Sequence, residues 1–246
     1  MPCLSKAELY QCVDAFRQQV GLDKVYKNIH FVRWCRNSGF ARVEEVPFRT
    51  RALRGMAYLA DNPDESNVIL LNKSRSNYEQ TFYCAHEMIH IGLHSNEQIH
   101  TFQCFDQPCQ NDFLEWQANQ GGAELTLPYR DFLPLIRANF PAITDPSFYR
   151  LFRFNVADRF RTTESVVQLR FEDMKYEIAQ YLNGTPLSRL EFLSARQLQR
   201  RGISVPSITD LAFRDRPNAA NWIPAQHTLD VYGSWEDFED FETKSL

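Results

Sequence analysis

The sequence predicts an α+β fold, in which a small β-sheet and a pair of helices are followed by a mostly helical C-terminal region. Two observations lead to this prediction: the β-compatible runs are confined to residues 42–72, and helical periodicity dominates from residue 113 onward. Hydrophobic residues make up 43% of the 246 residues and charged residues 24%, which is the composition of a globular protein. A chain of this length forms one or two domains.

The first predicted element is an amphipathic helix near the N-terminus. Ser5 and Glu8 have the spacing of a capping box, in which each side chain bonds the backbone N–H of the other residue. Apolar residues then recur every three or four positions, at Leu9, Val13, Phe16 and Val20. Gly21 follows where a helix commonly ends, and a second short helix is predicted over Ile29–Arg36.

Three short runs predict the strands of a small sheet. These runs are Arg42–Phe48, Leu53–Ala60 and Asn67–Asn72. Asn62–Asp64 provide a turn before the third run, whereas Gly55 weakens the second as a strand. Because helices flank all three runs, we expect the sheet to pack on a helical layer.

One predicted helix carries the most informative motif of the chain. The helical pattern over Asn77–His94 contains the motif HExxH at His86–His90. On an α-helix, the two histidines of this motif leave the same face one turn apart, so both can bind a single ion. Zinc suits this donor set. Glu87 would then act as a general base toward the attacking water rather than as a ligand.

A catalytic zinc usually has three protein ligands, so one has to come from outside the motif. The extended pattern HExxHxxGxxH is excluded, because Leu93 and Asn96 occupy the positions that need glycine and histidine. His94 lies about 12 Å from His86 along the helix axis, which is too far for a shared ion. We expect His94 to line the pocket or to end the helix.

A second helix, Phe113–Leu127, offers carboxylates and follows Ser95–Asp112, which is predicted to be a polar loop. Glu115 and Asn119 share one face of this helix, so Glu115 could reach the metal while Asn119 bonds a ligating histidine. Glu124 is the rival candidate, since nine residues further along it cannot contact the metal together with Glu115. Helix geometry favours Glu115 and leaves Glu124 open.

These segments resemble the ImmA/IrrE family of bacterial and phage metallopeptidases. The resemblance is carried by Leu53–Tyr58, Val68–Asn72, Thr81–His94 and Glu115–Pro128, covers about residues 5–180 and is most specific at 81–128. It implies a zincin-like catalytic domain with a catalytic Zn²⁺, and Glu115 as the third ligand beside His86 and His90. Gly121 and Gly122 stand where the family usually has Phe-Ala, and glycine costs roughly 1 kcal/mol in a helix, which predicts a less rigid helix here.

The resemblance also implies a function. Members of this family often cleave the helix-turn-helix repressor of a mobile element or stress regulon, so the implied substrate is such a repressor. Two alternatives are a zinc-containing regulatory module that binds a repressor or DNA without cutting it, and a toxin-like peptidase with another protein substrate. Glu87→Gln separates the regulatory module from a peptidase, because only a peptidase needs the general base.

The chain after residue 128 is predicted to be nearly all helical. Candidate helices are Tyr129–Asn139, Pro146–Phe160 and Thr163–Leu182. Asn183–Pro186 is a clear break in this pattern. We therefore divide the chain into a metallopeptidase domain over residues 1–130, a helical region over 131–185 and a C-terminal extension over 186–246.

A DNA-binding helix-turn-helix is one interpretation of Phe154–Arg170, where Arg159, Arg161 and Arg170 give a modest basic face. The net charge of −4 argues against this interpretation, because nucleic-acid binders usually carry a positive field. We expect instead a pair of helices packed on the catalytic domain.

The remaining features bear on the compartment. No apolar run approaches the ~20 residues that span a bilayer, and the N-terminus lacks the apolar segment of a signal peptide. Six scattered cysteines indicate reduced thiols in a cytoplasmic protein, although Cys104 and Cys109 could form a disulfide or a second metal site.

The acidic and aromatic end of the chain, 234–246, is predicted to be a solubilising terminus, with a docking or self-inhibitory peptide as the alternative.

Overall fold

The computed structural model describes residues 4–24, 28–50, 52–62, 64–95, 97, 99–105, 112–208 and 210. The helices in these residues are α1 (Lys6–Gln19), α2 (Phe31–Ser38), α3 (Asn77–Leu93), α4 (Asp112–Thr126), α5 (Tyr129–Asn139), α6 (Pro146–Arg159), α7 (Glu164–Asp173), α8 (Lys175–Leu182) and α9 (Ala195–Arg200). The strands are β1 (Arg42–Val46), β2 (Leu53–Tyr58), β3 (Val68–Asn72) and β4 (Thr101–Phe105). The predicted α+β class is confirmed.

Helix α1 has the predicted ends. The Ser5 side chain accepts a hydrogen bond from the backbone of Glu8, and the Glu8 side chain bonds back to Ser5, which completes the capping box. The apolar face of the helix is buried at Leu9, Val13 and Phe16. Gly21 follows the helix with φ 75°, a left-handed conformation that glycine adopts without strain.

The sheet has the strand order β1-β3-β2-β4. β1 pairs with β3 in parallel, and β2 runs antiparallel to both β3 and β4. The three predicted strands are present, each shorter than its predicted run.

Strand β4 corrects the prediction of a loop over Ser95–Asp112. Thr101–Phe105 pairs with β2 and buries Phe102 and Cys104, while Thr101, Gln103 and Phe105 are half-buried. A five-residue strand of mixed composition carries little β preference of its own, because strand preference depends on the neighbouring strand and on burial. The signal for β4 therefore lies in β2 rather than in its own sequence.

Helices α3 and α4 form the helix pair that the sequence predicts beside the sheet. α3 begins with a second capping box, made by Ser76 and Glu79, and every residue from Gln80 to Ile91 is buried. It packs against β2 on one side and α4 on the other. The HExxH motif therefore lies inside the protein and not on an exposed face.

The C-terminal part is helical, as predicted, with one difference. The predicted helix over Thr163–Leu182 is divided into α7 and α8 at Met174, where the backbone leaves the helical conformation (φ −107°, ψ 14°). Met174 is fully buried, and α8 beyond it packs against α5.

Buried ion pairs join these helices to the N-terminal part. Arg170 on α7 is fully buried and bonds Glu124 on α4 and Tyr10 on α1. Lys6 Nζ on α1 lies 2.9 Å from Glu177 Oε1 on α8. One hydrophobic core accordingly runs from α1 to Ile208, while the division of the chain at residues 130 and 185 stays a prediction.

The burial of Arg170 also removes one residue from the basic face proposed for a helix-turn-helix. Arg159 is exposed and Arg161 is half-buried, whereas Arg170 has no surface to offer DNA. Among the described residues, no helix is long and apolar enough to cross a membrane. Cys109 and the 234–246 terminus lie outside the described residues.

Candidate metal centre

Helix α3 places two imidazole rings next to each other in the core. His86 and His90 are one turn apart, both fully buried, with ring centroids 4.9 Å apart. Their Nε2 atoms face each other at 3.2 Å. The ring of His90 also stacks on Phe102 of β4, with 4.2 Å between centroids, which holds the imidazole from the side of the sheet.

Helix α4 adds a carboxylate to this pair. Glu115 Oε2 lies 3.4 Å from His86 Nε2, and Glu115 Oε1 lies 3.2 Å from His90 Nε2. One ligand atom from each of the three side chains lies within 4.8 Å of the others, a spacing that suits a metal ion. Glu124, the rival carboxylate, lies elsewhere, since it is bonded to Arg170 and to the backbone N–H of Tyr129.

Hydrogen bonds on the far side of each imidazole fix which nitrogen carries the proton. Asn119 Oδ1 lies 3.0 Å from His86 Nδ1. Gln117 Oε1 lies 3.1 Å from His94 Nε2, and His94 Nδ1 lies 2.9 Å from His90 Nδ1. An amide oxygen can only accept, so His86 donates from Nδ1, His94 donates from Nε2, and His90 donates from Nδ1 to His94.

This arrangement leaves both Nε2 atoms of His86 and His90 as lone-pair donors. It requires a neutral His94, and burial together with the neighbouring His90 lowers the pKa of His94 to about 3. Two lone pairs and a carboxylate that face one another at 3.2–3.4 Å repel unless a cation lies among them. The donor set therefore fits a divalent metal.

The charge of Glu115 is also set by the site. Burial favours its neutral form, but the neighbouring imidazoles of His86 and His90 outweigh burial and hold the pKa of Glu115 below its ordinary value. Burial lowers the pKa of His90, against the opposing effect of the nearby Glu115 carboxylate. Two neutral imidazoles and one carboxylate are the protonation states that a metal needs.

Glu87 lies beside this group without joining it. Its side chain is fully buried, and within the described part of the chain neither carboxylate oxygen has a hydrogen-bond partner. Burial and, to a lesser extent, the Glu115 carboxylate raise the pKa of Glu87 well above its ordinary value. A desolvated, unpartnered carboxylate with a raised pKa is suited to take up a proton.

Three neighbours of the site were not recognised from the sequence. A Cβ on Gly55 of β2 would lie 2.6 Å from Glu87 Oε1, so any larger residue there would displace that carboxylate. Gln117 bonds His94, and Cys104 of β4 lies near His86 and Glu87. Glycine inside a strand does mark a close approach, whereas no sequence pattern identifies the positions of Gln117 and Cys104.

The glycine pair on α4 has a packing role, and the lower rigidity expected of this helix stays a prediction. A Cβ on Gly122 would lie 3.0 Å from the backbone N and Cα of His86, and one on Gly121 would lie 2.9 Å from Ile89 Cγ1. The two glycines therefore allow α4 to approach α3 closely, at the level of the first histidine of the motif.

The fold and the buried group of two histidines and a carboxylate on an HExxH helix define the class of metallopeptidases. Residues 41–172, more than half of the chain, match the family model Peptidase_M78, described as the IrrE N-terminal-like domain. The chain belongs to this family, which confirms the resemblance to ImmA/IrrE proteins. A search of curated proteins found no significant match.

Proposed function

We propose that the protein is a zinc-dependent endopeptidase in which His86, His90 and Glu115 bind the metal and Glu87 is the general base. The observation that carries this proposal is the convergence of two Nε2 atoms and a carboxylate next to the unpartnered carboxylate of Glu87. Two histidines and one glutamate are the ligand set of many catalytic zinc sites. When bound, the metal supplies Lewis-acid catalysis, polarising the scissile carbonyl and acidifying water.

The protein's own residues provide the proton transfers. Glu87 accepts a proton from the attacking water and later donates it to the leaving amine, which is the two-step role of a general base. Its burial keeps competing water away and strengthens its affinity for the proton. Asn119 and His94 act as positioning residues, because their hydrogen bonds orient His86 and His90.

The substrate that we propose is a helix-turn-helix transcriptional repressor, whose cleavage relieves repression in the cytoplasm. This part of the proposal rests on the family. An extended segment of the substrate could add to β4, which within the described sheet pairs with β2 alone and leaves its other edge open. Edge-strand addition gives backbone hydrogen bonds that do not depend on the peptide sequence.

The experiment that tests the proposal is co-expression with the nearest encoded helix-turn-helix repressor, using wild type and Glu87→Gln. We expect a repressor fragment, detected by intact mass, with wild type only, and equal zinc content in both enzymes. Glu87→Gln keeps the shape of the side chain and removes its basicity, so equal zinc makes it a matched control.

Two other outcomes would revise the proposal. An intact repressor that co-purifies with both enzymes would replace the peptidase with a binding module. An intact repressor without association would exclude this substrate, and the same comparison on other protein substrates would follow.

A further inference from the structure

We propose that Cys104 gives the active site a second set of metal ligands, His86, Glu87 and Cys104, which takes thiophilic divalent cations such as Cd²⁺ and blocks the enzyme. One ligand atom from each of these three side chains lies within 4.8 Å of the others. His86 and Glu87 are fully buried, and Cys104 is 2% exposed. The inference rests on the proposed function, because it assigns a consequence to occupation of Glu87.

The Glu87 carboxylate is the independent sign that a ligand belongs in this position. Both of its oxygens are buried without a hydrogen-bond partner in the described residues. Folding has therefore already removed them from water, and an incoming cation does not have to desolvate them again. An ion bound there would satisfy them. The Cys104 sulfur is the softest donor of the set, and thiolates select soft cations over hard ones.

The two ligand sets share His86, which makes them alternatives. Nδ1 of His86 is occupied by its hydrogen bond to Asn119, so a single nitrogen, Nε2, is available to a metal. An ion that binds Nε2 together with His90 and Glu115 leaves Glu87 free to act as base. An ion that binds Nε2 together with Cys104 makes Glu87 a ligand, and a carboxylate bound to a cation is a poor proton acceptor.

Metal preference then decides between the two sets. Zinc binds readily to two imidazole nitrogens and one carboxylate oxygen, the donors of the first set. A softer cation gains more from a thiolate, and binding displaces the thiol proton to solvent. The second set is therefore expected to be occupied by Cd²⁺ and not by Zn²⁺ at one equivalent.

A second pair of thiols has to be controlled. Cys35 on α2 and Cys84 on α3 are fully buried, with their Sγ atoms 3.8 Å apart, and such a pair can also bind a soft cation. Cys35→Ser removes one member of this pair without touching the set that contains Cys104. It is therefore the matched control for Cys104→Ser.

The test uses the full chain, stripped of metal with a chelator and reloaded with one equivalent of Zn²⁺ or Cd²⁺. X-ray absorption at the edge of the bound metal reports sulfur in its first shell, and thiolate-to-cadmium absorption in the ultraviolet reports the same bond. We expect one sulfur ligand for Cd²⁺ in wild type and in Cys35→Ser, and none in Cys104→Ser. We also expect Cd²⁺ affinity to fall roughly 10-fold or more in Cys104→Ser, with Zn²⁺ bound by nitrogen and oxygen alone.

A Cd²⁺ ion with nitrogen and oxygen ligands alone in wild type would overturn the inference, and so would a sulfur signal that persists in Cys104→Ser. If Cys104→Ser does not fold, Cys104→Ala and the wild-type spectrum carry the test. Glu115→Gln separates this inference from the proposed function. If Glu115 is not a zinc ligand, that variant keeps its zinc affinity, whereas the cadmium–sulfur bond does not depend on Glu115.

Discussion

At the residue scale, Glu87, the proposed general base, and a glycine on the neighbouring strand fit each other. Glu87 is buried with its carboxylate against the backbone of β2, at the position where Gly55 has no side chain. The carboxylate is the far end of a flexible side chain, so it can move away from a larger neighbour at little cost to the fold. Gly55 therefore governs where the Glu87 carboxylate points more than whether the protein folds.

Gly55→Ala is predicted to lower kcat while zinc content and the melting temperature stay close to wild type. The added methyl group would fall 2.6 Å from Glu87 Oε1, which displaces the carboxylate from the attacking water. A misplaced catalytic group can cost about 100-fold in rate. The double variant with Glu87→Gln is the control, because Gly55→Ala should cost nothing further once the base is absent. Additive losses would show that Gly55 acts by another route.

Asn119→Ala is predicted to weaken zinc binding by roughly 10- to 100-fold, the usual effect of removing a hydrogen bond to a metal ligand. Asn119 Oδ1 holds the proton on Nδ1 of His86, so the variant loses the orientation of one proposed ligand. Competition with a chelating dye measures the affinity. Gln120→Ala on the same helix is the control, because Gln120 bonds Asp173 instead of the site, and equal affinities in the two variants would contradict the prediction.

The individual residues of the site also show how much of it could be predicted from the sequence. The placement of His86 and His90 on one helix face follows from their spacing alone. The choice between Glu115 and Glu124 needed the family resemblance, because it depends on how α4 packs against α3. Gly55 meets the site through a contact between segments far apart in sequence, and single-sequence periodicity does not describe such contacts.

At the element scale, the packing of α4 on α3 holds the candidate ligands together. His86 and His90 lie on α3 and Glu115 on α4, so the distance between the helices sets the distance between the ligand atoms. Gly122 permits the close approach, because any side chain there would meet the backbone of His86 at 3.0 Å. Glycines that reduce helix propensity are thus compensated by contact between the helices.

Gly122→Ala is predicted to reduce zinc affinity and to lower the free energy of unfolding more than Gly121→Ala does. Overpacking typically costs 1–3 kcal/mol, against a gain of about 1 kcal/mol in helix propensity, so we expect a net loss of about 1 kcal/mol. Gly121→Ala meets the Ile89 side chain, which can shift, whereas Gly122→Ala meets backbone. Urea unfolding of the metal-free proteins and chelator competition measure the two effects, and equal behaviour of the variants would refute this account.

The elements themselves were predicted to different degrees. Helices α1 and α3 have capping boxes and strong apolar periodicity, so their sequence signal is local. β4 has no such signal, since five residues become a strand because β2 presents an edge to them. Met174 likewise interrupts a helical pattern without a proline or glycine, and its side chain is fully buried.

At the scale of the whole molecule, a buried ion pair connects the C-terminal helices to α4, the helix that carries Glu115. Glu124 lies on the same helix as Glu115, and Arg170 joins it to α7 while Tyr10 joins Arg170 to α1. A buried arginine that loses its partner, or a partner that loses its arginine, leaves an uncompensated charge in the core. Stability of the helical region and integrity of α4 are therefore linked.

Arg170→Ala is predicted to lower the free energy of unfolding by about 3–5 kcal/mol, the cost of breaking a buried ion pair by removing one partner. Arg201→Ala is the control, because its ion pair with Glu191 is exposed, and it should cost at most about 1 kcal/mol. Urea denaturation of both variants tests the difference. Similar losses in the two would mean that Arg170 contributes no more than an ion pair at the surface.

Helix α1 lies outside the stretch that the family model matches, yet it packs against α3, the helix that carries the HExxH motif. The ring of Phe16 fills the space beside Gly92 so closely that a Cβ there would lie 2.5 Å from it, and Arg17 Nη1 donates to the carbonyl of Leu125 at 2.9 Å. A fragment trimmed to residues 41–172 for protein production would expose this apolar back wall. Such a fragment is expected to precipitate on expression, so a useful minimal peptidase has to begin before α1 and extend past α8.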